Sequence, residues 1–213
     1  MNSHFRPTPI FAHHMFPLRA AVRDILAHPH EHAWTVQGLG MLRCYPFDGS
    51  DWRLNVWHSS FRVVPPASDM HDHPWNLTSW IIAGRMYNQR YIGVEEDMPG
   101  DYFDVREIMC GVGADNKTPP QDAGTVKLGR RPLETYRTGD VYSQRAEEIH
   151  STTFDDGSVT LNYRERVNGD AAKIFMPHGT PWIDAQPRAA LEGEVARGCA
   201  WALLRIKEEE ARS

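Results

Sequence analysis

The stretch MHDHPWNLTSWIIAGRMYNQRY, residues 70–91, sets two histidines one residue apart at the head of a segment rich in Trp, Ile and Tyr. Such residues favour a pleated, half-buried backbone, so β-structure is expected from Leu77 to Ile92, with Gly84 marking a bulge or bend. On that backbone residues i and i+2 point to the same side. His71 and His73 therefore converge on one point while Asp72 points away. Converging neutral imidazoles suit zinc, iron, nickel or copper. Two ligands hold a metal poorly, so the rest of the chain has to supply others.

Working outward, MLRCYPF (41–47) and DWRLNVWHSSFRVV (51–64) read as strands joined by a hairpin turn at Phe47-Asp48-Gly49-Ser50, and Pro65-Pro66 stops the second. DYFDVREIMC (101–110), TVKLG (125–129), LETYRTG (133–139) and VYSQR (141–145) are further short strands, with GVGADNKTPPQDAG (111–124) as a surface loop between the first two. HSTTFDDGSVTLNYRERV (150–167) reads as a hairpin turning at Asp155-Asp156-Gly157. Residues 1–15 form an irregular arm. PLRAAVRDILAH (17–28) spaces Leu18, Val22, Ile25 and Leu26 as a helix. The tail 186–213 is also helical in spacing, although Gly193 and Gly198 each cost it roughly 1 kcal/mol. About eight to ten short strands between two helices predict a mainly β fold, a sandwich or small barrel. No repeat or linker divides the chain, so one domain over 1–213 is expected.

The 213 residues carry a net charge of −5, which gives no basic footprint for nucleic acid. Three cysteines, Cys44, Cys110 and Cys199, form neither a CxxC pair nor a disulfide framework, which fits a reducing cytoplasm and excludes thiolate zinc. The N-terminus lacks the apolar core of a secretion signal, and no apolar run approaches the roughly 20 residues that cross a membrane.

Of the remaining histidines, His4, His13, His14, His28, His30 and His32 lie on the arm and first helix, where solvated histidines are ordinary. His58 sits mid-strand, as a core residue or a cavity liner, and His178 belongs to a loop. His150 begins a strand after the Gly139-Asp140 turn and is the candidate third ligand.

His71-x-His73 followed by Gly84, then Gly139-Asp140 followed by His150, resembles the two motifs of the cupin superfamily, over roughly residues 40–185. MHDHPW and the later FMPHGTPW look closest to an HDHPW group of cupins. The resemblance implies a double-stranded β-helix (jelly-roll) barrel, with an arm and helix over 1–39 and a helix over 186–213. It also implies His71, His73 and His150 as metal ligands, and a homodimer paired through edge strands. Two departures stand out. Leu77 or Thr78 occupies the place of the usual glutamate ligand, and Arg145-Ala146-Glu147-Glu148-Ile149 replaces the usual approach to the last histidine. A three-histidine set without a carboxylate resembles the thiol and β-diketone dioxygenase branches. It implies a mononuclear Fe(II) oxygenase acting on a small molecule. Zn(II) or Ni(II) would instead serve a lyase or isomerase, and a metal-free barrel would only bind a metabolite. No cysteine closely follows His73 to form the cysteine–tyrosine crosslink of cysteine dioxygenases.

Around the metal, Asn76 is either a weak oxygen ligand or a turn residue. Glu148 is a fourth ligand or proton carrier if its segment is extended, and a surface residue if it turns. Arg85 and Arg164 are candidates to hold a substrate carboxylate, and Tyr87 and Tyr163 to donate protons. Trp57, Trp75 and Trp80 are candidates for an apolar wall, with the core as the ordinary place for such residues.

Overall fold

The structure is a computed structural model that describes residues 15–46, 51–63, 69–109, 120–167, 171–181 and 187–212. The expected turn at Phe47–Ser50, Pro65-Pro66, Cys110, the three arm histidines and residues 111–119 of the expected loop lie outside the described residues. The first helix is α1 (Met15–Ala27) and the last is α2 (Glu192–Glu210). Between them run β1 (Trp34–Gln37), β2 (Leu39–Cys44), β3 (Trp52–Arg62), β4 (Met70–His71), β5 (Trp75–Ala83), β6 (Arg85–Gly93) and β7 (Asp101–Met109). Then follow β8 (Gln121–Arg130), β9 (Glu134–Arg137), β10 (Val141–Gln144), β11 (His150–Phe154), β12 (Ser158–Arg166), β13 (Ala171–Pro177) and β14 (Arg188–Ala189). The fold is mainly β, as expected, and its strands reach beyond residues 40–185 at both ends.

Two antiparallel sheets form, β10-β5-β12-β3-β2-β1-β14 and β11-β4-β13-β7-β8-β6-β9. Strand alternation sorts the first sheet's side chains. Leu42, Leu54, Val56 and Leu161 point to one face, where they are wholly buried with Val22 and Leu26 of α1 and Ala202 and Ile206 of α2. The other face carries Met41, Trp57, Ile81 and Tyr142, which pack with Met86, Tyr136 and Phe154 of the second sheet. The second sheet also curls on itself. Because β11 pairs with β6 as well as β4, the pairings β6-β11-β4-β13-β7-β8-β6 close a ring. Met70, Phe103, Val105, Leu128 and Phe175 fill its inside.

Two expected local structures turn out differently. Residues 150–167 are not a hairpin: β11 belongs to the second sheet and β12 to the first, so the chain crosses between sheets at Asp155–Gly157. Gly84 makes the same crossing between β5 and β6. The two corners lock together, since Ser158 Oγ donates to Arg85 O and accepts from Arg85 N, both at 3.0 Å. Asp155 N also donates to Arg85 O. Gly84 sits at φ +87°, and a Cβ there would stand 2.9 Å from Ser158 Cα. Only glycine fits both constraints. Residues 121–124, expected as loop, extend β8, because β7 offers them a partner edge and Arg106 pairs with Asp122 at 3.0 Å. No helix among the described residues is long and apolar enough to cross a membrane.

Two outcomes follow from these contacts. Gly84→Ala should lower stability in urea unfolding by about 2–3 kcal/mol, from the left-handed backbone and the clash with Ser158. At the start of α2, the Arg188 guanidinium, with help from the Leu191 N–H, lowers the Glu194 carboxyl to about 2. A depressed carboxyl contributes stability above its unfolded value, and that stability is lost as pH falls toward 2. Glu194→Gln should therefore cost roughly 0.5–1 kcal/mol at pH 7, the pair being partly exposed, and close to nothing at pH 2 by thermal unfolding.

Candidate metal centre

His71 and His150 meet because β4 and β11 pair with their Cα atoms in register, which places both side chains on one face. His73 follows two residues after His71, and the three ring centroids lie 4.4, 4.8 and 4.9 Å apart. One ring nitrogen from each falls within 4.8 Å of the others. His71 Nδ1 lies 2.7 Å from Asp69 O, and His150 Nδ1 lies 3.2 Å from Glu148 O. A carbonyl only accepts, so in both rings Nδ1 carries the proton and Nε2 keeps its lone pair. This is how a metal-ligating histidine is usually held. His73 is oriented by stacking on Trp75, at 5.3 Å and 15°. Burial pushes all three imidazoles below their ordinary range, His73 and His150 furthest, and the neighbouring rings add to it for those two, as Arg43 does for His71. The rings are neutral, as ligation requires.

Backbone clips hold the short ligand segment in place. Asp72, whose side chain turns away from the site, accepts the Lys173 N–H at 2.6 Å, and its own N–H donates to Lys173 O. His73 O accepts from Glu147 N at 2.8 Å, and Arg62 pairs with the buried Asp69 carboxylate.

The other expected site residues divide. Arg164, 5% exposed, does reach the interior, with its guanidinium 5.1 Å from the Trp75 ring, and Trp75 itself borders His73. Arg85 and Tyr87 do not join the site. In the β6–β11 register His150 pairs with Arg90, so the odd-numbered residues of β6 point to the opposite face. There Tyr87 binds Asp155 and Arg85 binds Tyr87. Tyr163 likewise alternates away from Arg164 and packs on Trp52. Trp80 stacks on Trp52 within the helix-side core, Trp57 lies in the inter-sheet core, and His58 stacks on Trp201. Asn76 is committed elsewhere: its Oδ1 accepts from Ala146 N and its Nδ2 donates to Glu165. Residues 145–148 turn, yet Glu148 does not go to the surface. Its carboxylate accepts hydrogen bonds from Arg90 Nη1 at 2.6 Å and from the Arg145 N–H at 3.2 Å.

Several site residues escaped the sequence reading. Arg90 bridges Glu134 (3.0 Å), Glu148 and Ser143 O (3.1 Å), and so fixes the turn whose carbonyl orients His150. Gln144 Nε2 donates to that same carbonyl. From the first sheet, Arg53 of β3 stands 4.8 Å from the Trp75 ring, and Arg43 lies on β2, the strand paired with β3. Arg43 binds Asn55 Oδ1 at 2.8 Å, and burial lowers its guanidinium below the ordinary value. Burial works against ionising the Tyr45 hydroxyl, but Arg43, Arg53 and Arg164 together bring it below the usual phenol range. Asn88, 1% exposed, shares the inward face of β6. The signal for the first-sheet residues was strand parity, since Arg43, Arg53 and Asn55 alternate with the buried Leu42, Cys44, Leu54 and Val56. No known family model matches the chain, and no curated protein matches it.

Arg90→Met strands Glu134 and Glu148 and loosens the Glu148 carbonyl. It should cost about 1–3 kcal/mol in urea unfolding, and weaken zinc binding about 10-fold or more in competition titrations.

Proposed function

We propose that this chain is a metal-dependent small-molecule enzyme of the cupin type, a mononuclear non-heme iron oxygenase ahead of a zinc or nickel lyase or isomerase. The observation that carries the reading is the donor set: three neutral imidazoles within 4.8 Å, two of them with Nδ1 already committed to a carbonyl. His71, His73 and His150 would hold the ion. Three neutral ligands leave a divalent ion its full charge and open positions, so iron would supply oxygen activation, and zinc or nickel Lewis acidity. The jelly-roll reading rests on the two sheets and on the motif positions at the two strand pairs that meet there.

The chain's own residues supply the rest. Arg43, Arg53 and Arg164 make a cationic wall suited to orienting a substrate carboxylate, since a guanidinium matches that group through two parallel hydrogen bonds. Trp75 packs against His73, Arg53 and Arg164 and keeps water off one side of the imidazole. Tyr45, 41% exposed, borders that wall, with the Arg53 guanidinium 5.9 Å from its ring. Glu148, held by Arg90, positions His150 through its backbone rather than moving protons itself.

Elemental analysis of untagged protein purified anaerobically, wild type beside His150→Ala, tests the reading. Near-stoichiometric iron, lost in the variant, is expected. Zinc or nickel in its place would move the assignment to Lewis-acid chemistry. No metal in either sample, and none taken up on reconstitution, would overturn it.

A further inference from the structure

The ring closed by β6, β11, β4, β13, β7 and β8 encloses more than its apolar filling. At one end it opens into a partly open cavity of about 350 Å³, within the size range of small-molecule sites. Met70, Tyr91, Phe103 and Pro177 form its walls, and Ser151 and Arg130 also border it. Parity sets it apart from the metal centre. Met70 precedes His71, Tyr91 follows Arg90 and Ser151 follows His150, so the cavity lies on the opposite face of the strands that carry two of the three histidines.

We propose that this cavity is a second small-molecule site, separate from the three histidines, and that it takes an uncharged phenol. Aromatic and thioether walls favour a flat, polarisable ring. Within the wall Tyr91 Oη and Ser151 Oγ lie 3.3 Å apart, and either can be the donor. The pair uses one of its two hydroxyl protons internally, leaving one donor and several lone pairs on two residues that line the cavity. A ligand hydroxyl, which both donates and accepts, complements that arrangement. At the rim the Arg130 guanidinium stands 3.9 Å from the Asp101 carboxylate, and both are largely exposed. Opposite charges side by side give the entrance no net sign, so it selects neither anions nor cations.

The test is a titration of the full chain, labelled with ¹³C at the methionine methyls, with phenol and with toluene, its near-isostere lacking the hydroxyl. Met70→Leu assigns the reporter signal. Phenol should move the Met70 methyl saturably, and toluene should bind about three- to tenfold more weakly. Tyr91→Phe, which keeps the ring and removes one hydroxyl, should erase most of that preference. The response should persist in His150→Ala, which separates this site from any ligation of phenol by a bound metal. The site is overturned by an unmoved Met70 signal, by equal binding of phenol and toluene, or by a response that disappears in His150→Ala. Metal content, measured on the same samples, judges the metal centre independently of all three.

Discussion

The pairing of His150 with His71 is the contact on which the rest of this structure depends. It joins two strands that are distant in sequence, and it does so through β4, which is only two residues long. So short a strand has few ladder hydrogen bonds of its own. Its position is set from outside, by the two Asp72–Lys173 bonds to β13, by Arg62 on Asp69, and by the Glu147 N–H on His73 O. The same pairing closes the ring of the second sheet. One register therefore brings the histidines together on one face and completes a small barrel on the other.

The interior between the sheets is costly. Arg43, Arg53, Arg164, Asn55, Asn88 and Asn162 occupy positions that apolar side chains could fill, and a buried guanidinium carries a desolvation penalty of several kcal/mol before any pairing. Part of that penalty is offset locally. Arg43 binds Asn55, Asn55 binds Thr160, and Ser79 binds Asn162. Stability comes instead from the apolar cores outside this space, where the helices cover the first sheet and the ring closes over Phe103 and Phe175. Polar residues retained inside at such a cost mark a site rather than a scaffold.

This layout explains what was legible in the sequence. HxH at the head of a strand could be read because ligand spacing and pleat parity are both local. The flanking helices were legible from Leu18, Val22 and Ile25, and from Val195, Cys199, Leu203 and Ile206. What failed was non-local. Asp155-Asp156-Gly157 has the chemistry of a hairpin turn, and nothing within it says that the next strand joins another sheet. Residues 121–124 look like loop until β7 supplies an edge. Arg43 and Arg53 look like a solvent face, because a polar-lined interior alternates with apolar residues just as a wet surface does. Arg85 and Arg90 differ only in parity, and the side of β6 that faces His150 is set by a strand some sixty residues away.

Parity also divides the labour of the molecule. On β4, β6 and β11, one set of alternate residues, His71, Arg90 and His150, faces the polar interior, and the other, Met70, Tyr91 and Ser151, faces the ring. A one-residue slip of β11 would exchange these sets, placing Ser151 among the histidines and His150 among aromatic walls. That error is opposed from both sides at once. Arg90 holds the turn before His150, and the Ser158–Arg85 corner holds the chain after Phe154. The three-histidine cluster is thus as precise as its two anchors, and neither of them contributes a histidine to it.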